Sequence, residues 1–179
     1  MATKNPKFTD EDIKKHIAKI QELTKEAEKQ QKPNHHVTVV TPEEIDRKLR
    51  RVNSPMIVSQ GWTSSAPAGG VINYSVGLYN PDPTQAIWLF GHVFIGSGNP
   101  DPVTGTFLLN VDDRFPRLTQ PDFAGLNIPA GGSASLSYSI VIPANVQKTN
   151  YLGNTALMQF NWHDIGTLLD RSVFVFKVT

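Results

Sequence analysis

The chain contains no cysteine, which excludes a disulfide scaffold and thiolate metal sites. No apolar run approaches the ~18 residues that a membrane-spanning helix requires, so no membrane span is expected. The opening stretch MATKNPKFTDEDIKKH lacks the apolar centre of a secretory signal. Synthesis in the cytoplasm is the expectation, with an extracellular or virion-associated destination as the alternative. The formal net charge is only +1, which argues against a nucleic-acid partner. There is no Gly-x-Ser-x-Gly elbow, no Gly-x-x-x-x-Gly-Lys phosphate loop and no paired-glycine dinucleotide fingerprint. No catalytic residue, cofactor or metal is therefore assigned, and the expectation is a protein that is not an enzyme.

Charge is scarce in one part of the chain and dense in the other. Residues 1–54 hold 12 Lys+Arg and 9 Asp+Glu. Residues 55–179 hold only Arg114, Arg117, Lys148, Arg171, Lys177 and seven aspartates, with no glutamate. Globular proteins average about 25% charged residues, so the second segment falls well below half the norm. The break near Asn53-Ser54-Pro55 predicts a charged helical arm over 1–54 and a β-sandwich domain over 55–179.

The arm reads as helix. Thr9 is placed to cap it, with Asp10, Glu11 and Asp12 at the positive end of the dipole. Ile13, Ile17, Ile20, Leu23 and Ala27 recur at helical spacing and form one narrow apolar stripe. The helix is predicted over Asp10 to Gln30, ending before Pro33. A stripe this narrow needs a surface to lie on, and docking on protein is preferred to an independent coiled coil. KQQKPNHH reads as a linker and Val37–Val40 as a short edge strand. Thr41, Pro42 and Glu44 spell a capping box for a second, short helix whose apolar face is Ile45 and Leu49.

The remainder reads as strands separated by turns. In SASLSYSIVI, Ala134, Leu136, Tyr138, Ile140 and Ile142 face one way and four serines the other. Tyr74, Val76 and Leu78 are predicted inward in NYSVGLY. Ala156, Met158, Phe160 and Trp162 are predicted inward in TALMQFNW. MIVSQGW, GTFLLNV and SVFVFKV are further strands. Turns are predicted at Pro67–Gly70, at the two Asn-Pro-Asp-Pro words, at Pro129–Gly132 and at Asn150–Gly153. The fold class is mainly β: an immunoglobulin-like antiparallel β-sandwich of 7–8 strands, preceded by the amphipathic helix and the short second helix.

The stretch LNIPAGGSASLSYSIVIP places an apolar residue, a Pro-Gly turn and an alternating strand in that order. ALMQFNW and VFVFKV follow as the last two strands. This pattern resembles bacterial immunoglobulin-like modules, the adhesion-related type included, over residues 55–179. The resemblance implies adhesion, spacing or assembly. The chain departs from that pattern in its helical arm and in having no mark of export.

The doubled Asn-Pro-Asp-Pro, at Asn80 and Asn99, raises the question of a calcium site. Each copy offers one carboxylate, whereas calcium takes six or more oxygens. The strand between them spans about 30 Å, which separates Asp82 from Asp101. Turn chemistry is the preferred reading. That strand is apolar on both sides: Ile87, Leu89, Val93 and Ile95 on one, Trp88, Phe90, His92 and Phe94 on the other. One side meets the opposite sheet. The other needs cover, and the N-terminal helix in cis is the first expectation, a partner subunit the second and a ligand groove the third.

Other polar groups carry weaker signals. His163-Asp164 sit side by side and so point to opposite faces. His92 stands in an aromatic row. His16, His35 and His36 lack metal-ligand spacing. Asp112-Asp113-Arg114 reads as a solvated turn. Arg47-Lys48-Arg50-Arg51 reads as a solvated helix face beside Glu43, Glu44 and Asp46.

These readings favour a structural or interaction protein, such as a phage, virus-like or bacterial assembly subunit. Its predicted interface is Ile13, Ile17, Ile20 and Leu23 on the helix and Trp88, Phe90, His92 and Phe94 on the two-sided strand. A homo-oligomer or larger assembly is the expected partner. The alternative is a carbohydrate or small-ligand binding module using Trp62, Trp88 or Trp162 as exposed aromatics.

Overall fold

Local chemistry sets the two helices where the sequence predicts them. In a computed structural model of the chain, which describes residues 8–51, 54–98, 110–120, 126–159 and 166–179, helix α1 spans Asp10–Glu28. The Thr9 hydroxyl accepts from the Asp12 backbone N–H at 3.2 Å, and the Asp12 carboxylate accepts from the Thr9 N–H at 3.0 Å. Helix α2 spans Pro42–Arg51 and starts with the same exchange between Thr41 and Glu44, both bonds at 3.3 Å. Between them runs strand β1 (His35–Val39), so the linker is shorter than the sequence suggests.

The later strands are β2 (Met56–Thr63), β3 (Ser65–Ala66), β4 (Val71–Tyr79), β5 (Ile87–Ser97), β6 (Asn110–Val111), β7 (Leu118–Gln120), β8 (Leu126–Ile128), β9 (Ser133–Val141), β10 (Asn150–Gln159) and β11 (Leu168–Val178). One sheet has the order β1-β2-β4-β9. The other has the order β3-β11-β10-β5-β6, with β7 and β8 also pairing β5. All described pairs are antiparallel except β3 with β11. The expected mainly β sandwich with two helices is what forms. Of the predicted strand GTFLLNV, only Asn110 and Val111 fall within the described residues.

The core lies between the sheets. Ile72, Tyr74, Val76 and Leu78 of β4 meet Leu89, Val93 and Ile95 of β5 and Phe174 and Phe176 of β11. A polar link crosses this core. The buried Tyr74 hydroxyl bonds Gln60 at 3.0 Å in its own sheet and Thr155 at 2.6 Å in the other. The Phe174 ring stacks on Tyr74 at 4.3 Å between centroids.

A second cluster sits behind the first sheet, where Ile13, Ile20, Ile45 and Leu49 of the helices cover Met56, Val58 and Tyr79. A β-bulge makes this possible. The register between β2 and β4 shifts between Ile57 and Ser59, leaving Val58 as the extra residue. Ile57 then faces the core and Val58 the helices, and Gln60 and Trp62 return to the inner face.

Three expectations need correction. Asn150–Gly153 is not a turn but the start of β10. Within β10 the inward residues are Tyr151, Gly153, Thr155 and Leu157, while Ala156 and Met158 face outward. Phe160 and Trp162 lie outside the described residues. The cause is Gly153: a β-carbon built there would stand 2.1 Å from the Phe174 ring. That ring fills the space a side chain would occupy, and the strand locks in the phase that turns Gly153 inward. Third, α1 covers the back of the first sheet, not the outer side of β5.

Gly153→Ala forces the Phe174 ring off its seat on Tyr74. The expected cost is about 2–3 kcal/mol of unfolding free energy, read as a lower urea midpoint with an unchanged slope.

Candidate interaction surface

Alternation along β5 turns Leu89, Val93 and Ile95 into the core, so Trp88, Phe90, His92 and Phe94 face outward. Trp88 is 50% exposed, Phe90 is buried, and His92 and Phe94 are half-buried. The rings follow one another along the strand, with His92 6.1 Å from Phe90 and 6.2 Å from Phe94. Burial holds the His92 imidazole below its usual pKa. Cross-strand register places Met158 beside Phe90, Ala156 beside His92 and Asn154 beside Phe94. On the next strand, β11, Leu168 and Val175 are 49% and 48% exposed. Neither β5 nor β10 contains a charged residue. The back of this sheet is therefore an aromatic and aliphatic surface whose ionic groups, Arg171 and Lys177, lie on β11.

The other half of the predicted interface lies on the opposite outer face. Ile13 and Ile20 are 2% and 0% exposed against the chain's own first sheet, with Ile17 partly buried beside them. Leu23 is 36% exposed and Thr24, not Leu23, continues the buried side of the helix. The helical repeat of 3.6 residues has rotated the stripe away from the sheet by that point.

Sequence reasoning missed the cluster that pins α1. His16 Nδ1 lies 2.7 Å from the Tyr79 hydroxyl, Phe8 packs edge-on against His16, and Lys19 lies over the Tyr79 ring. Lys19 also donates to the Gly131 carbonyl. Nothing in the local pattern around His16 or Tyr79 signals a pair 63 residues apart. Partial burial lowers the His16 pKa, Asp12 opposes that shift and Lys19 adds to it. Burial also raises the Tyr79 pKa.

The remaining polar candidates are structural. The first Asn-Pro-Asp-Pro word is turn chemistry. Buried Asn80 donates to the Gln85 carbonyl at 2.8 Å and the Pro129 carbonyl at 3.2 Å. Asp82 accepts from the Thr84 and Gln85 N–H groups at 2.8 and 2.9 Å, and these bonds hold its carboxyl below the usual range even though desolvation opposes them. The Asp82 carbonyl accepts from Gly131, whose φ of 58° suits glycine in the facing turn. The second copy, from Asn99, lies outside the described residues, as do His163 and Asp164. Asp112 is gripped by Arg114 at 2.5 and 2.8 Å, which lowers its pKa. In the basic cluster, Arg50 pairs with Asp46 and Asp10. Lys48 is half-buried and reaches Asp170 on β11 at 2.6 Å, and Asp170 also accepts from the Ile57 N–H at 2.8 Å. His36 packs on Trp62 at 4.7 Å. Trp62 is 5% exposed and donates to the Val175 carbonyl at 2.8 Å, so it is not the exposed platform that a sugar needs. Trp162 lies outside the described residues. Among the described residues no group of three His, Asp or Glu is placed to hold a metal ion.

A groove of about 470 Å³ lies behind the first sheet, beside the C-terminal half of α1. Its floor is serine and glycine, including Ser59, Gly61, Ser75 and Gly77, and its wall is Leu23 and Ala27. It offers hydroxyls and carbonyls, and no ionisable side chain lines it.

No family model and no curated protein matches the chain. Among solved structures, the C-terminal domain of wzt is similar, with a TM-score of 0.51 at 12% identity, over 83% of this chain and 80% of that one. A CARDB domain from Pyrococcus furiosus aligns with a TM-score of 0.38 at 12% identity, over 70% and 86% of the two chains. Bacteroides uniformis β-glucuronidase 2 aligns with a TM-score of 0.42 at 18% identity, over 82% of this chain but only 14% of that enzyme. At 12% identity the likeness to the wzt domain is one of fold alone, a generic β-sandwich module.

The lowered pKa values of His16 and His92 have a defined sign. Below the ordinary histidine value of 6.5 the unfolded chain takes up protons that the folded chain resists, so stability falls as pH falls. The thermal midpoint is expected to drop between pH 7 and pH 5, and to drop less in His16→Gln, in differential scanning fluorimetry. An equal drop in both chains would remove His16 from the cause.

Proposed function

We propose that this chain is a non-catalytic structural component that assembles through the back of its second sheet, in a homo-oligomer or larger assembly. The observation that carries this reading is the run of outward apolar residues on the back of the second sheet, two of whose strands, β5 and β10, hold no charge. Trp88, Leu168 and Val175 are each about half exposed on that sheet, and β5 and β10 are uncharged throughout. Charged residues are depleted at the centres of protein interfaces and aromatics enriched. A solvated sheet would carry charges instead. The helices support the same reading indirectly. Their apolar residues already cover the first sheet, leaving the second sheet as the broad apolar face.

The exposed indole of Trp88 favours one alternative, a carbohydrate-binding module that stacks a sugar ring on it. With Trp62 buried, that platform rests on Trp88 alone among the described tryptophans.

Trp88→Asp discriminates the two. Trp88 already meets water, so the folded chain tolerates the change, and thermal unfolding should shift little. Light scattering is expected to show a lower molar mass than the parent chain. Unchanged mass, together with tryptophan fluorescence that responds to a glycan panel only in the parent chain, would replace the assembly reading with the sugar-binding one.

A further inference from the structure

We infer that the free edge of β9 joins a second copy of this chain, strand to strand, about a two-fold axis at Ser137. This stands on a surface separate from the back of the second sheet, and either can hold without the other.

The argument begins with the backbone. β9 ends the order β1-β2-β4-β9 and pairs with β4 over nine residues, from Ser133 opposite Tyr79 to Val141 opposite Val71. Antiparallel ladders alternate, so each residue directs its N–H and C=O either toward the neighbouring strand or away from it. Just past the end of β9, Ile142 exchanges bonds with Gly69 and Gly70, at 3.0 and 2.9 Å. Just before its start, Gly132 accepts from Asn80 at 2.9 Å. The even-numbered residues therefore bond β4, and Ser133, Ser135, Ser137, Ser139 and Val141 point their backbone groups away from the sheet. Among the described residues no backbone hydrogen bond reaches those groups, and β7 of the other sheet is the strand that passes near β9 without pairing with it.

Natural edge strands are guarded by charge, proline, a bulge or short length. β9 has none of these. Its sequence is SASLSYSIV, its register with β4 is unbroken, and no ionisable side chain but the phenol of Tyr138 occurs in it. That phenol points into the core and donates to the Gly91 carbonyl at 2.7 Å. The strand's own sequence therefore carries no guard along its length.

The side chains select the same strand in another copy as the occupant. Pairing about Ser137 sets Ser135 against Ser139, Ser133 against Val141 and Leu136 against Tyr138. The exposed serines then meet exposed serines, and the inward Leu136 and Tyr138 carry the core of one sandwich toward that of the next. No like charges oppose one another at any position, which is the condition for a strand to accept its own copy. A two-fold axis uses one patch twice and closes the assembly at two chains. Five outward residues on each strand give about ten hydrogen bonds across the axis.

The absence of cysteine makes the test clean. Two Ser137 residues at the axis place their Cα atoms about 5.5 Å apart, within disulfide reach. Ser139 lies two residues from the axis, so its own copies stand about 14 Å apart, beyond that reach. Mild oxidation is expected to convert most of a Ser137→Cys chain to covalent dimer and to leave a Ser139→Cys chain single. Ser137→Lys sets two ammonium groups face to face and is expected to halve the molar mass with little change in thermal midpoint. The inference is overturned if the parent chain is a monomer at its highest soluble concentration. It is also overturned if Ser137→Lys keeps the parent mass, or if Ser139→Cys crosslinks as fast as Ser137→Cys. Mass kept in Ser137→Lys but lost in Trp88→Asp overturns the edge pairing and leaves the sheet-face assembly standing. The reverse result supports the edge pairing and overturns the other.

Discussion

The bond between the Tyr74 hydroxyl and Thr155, 2.6 Å long and closed off from water, ties the two sheets together at one register. A buried hydroxyl without a partner costs about 1–3 kcal/mol, so the sheets are held where Tyr74 finds both Thr155 and Gln60. Phe174 stacks on the same ring and takes the space above Gly153. Once Thr155 and Gly153 face inward, Ala156 and Met158 must face outward. They arrive beside His92 and Phe90, and the back of the second sheet becomes apolar. One polar contact in the core thus decides the chemistry of an outer face.

The two helices were legible in detail because their signals are local. Thr9 with Asp12, and Thr41 with Pro42 and Glu44, each state a start within four residues, and the bonds form as those residues require. Ile45 and Leu49 were equally plain, and both are buried. The choice of sheet for the helix was not legible. A stripe of isoleucines fits any flat apolar surface, and the surface it found was completed by the bulge at Val58. The phase of β10 was not legible either. Leu152, Leu157, Ala156 and Met158 distribute apolar atoms over both sides, so alternation alone supports either assignment. The glycine under Phe174, 21 residues away in the chain, breaks the tie.

The candidate surface was legible only as a strand apolar on both sides. The residues that extend it, Leu168 and Val175 on β11, sit in an alternating strand that reads as ordinary. They matter because β10 pairs with β5 on one side and β11 on the other, and that neighbourhood is a property of the fold. The cluster of His16, Tyr79 and Lys19 has the same origin. No local pattern in their segments announces the contact, and the docking of α1 brings them together.

The uneven charge acquires a physical meaning from this layout. The charged segment supplies the helices, and they lie on the first sheet with their ionic sides outward, Lys15 with Glu11 and Arg50 with Asp46. That layer gives the first sheet a solvated cover without any charge on the sheet itself. The second sheet has no described helix over it, and β5 and β10 add no charge of their own. In a chain working alone in water, a sheet with no described helix over it is expected to carry more lysine and glutamate than this one does. The observed distribution supports the assembly proposed above. On that proposal, charge keeps one side in solvent and leaves the other for contact, so orientation is selected before any specific contact forms.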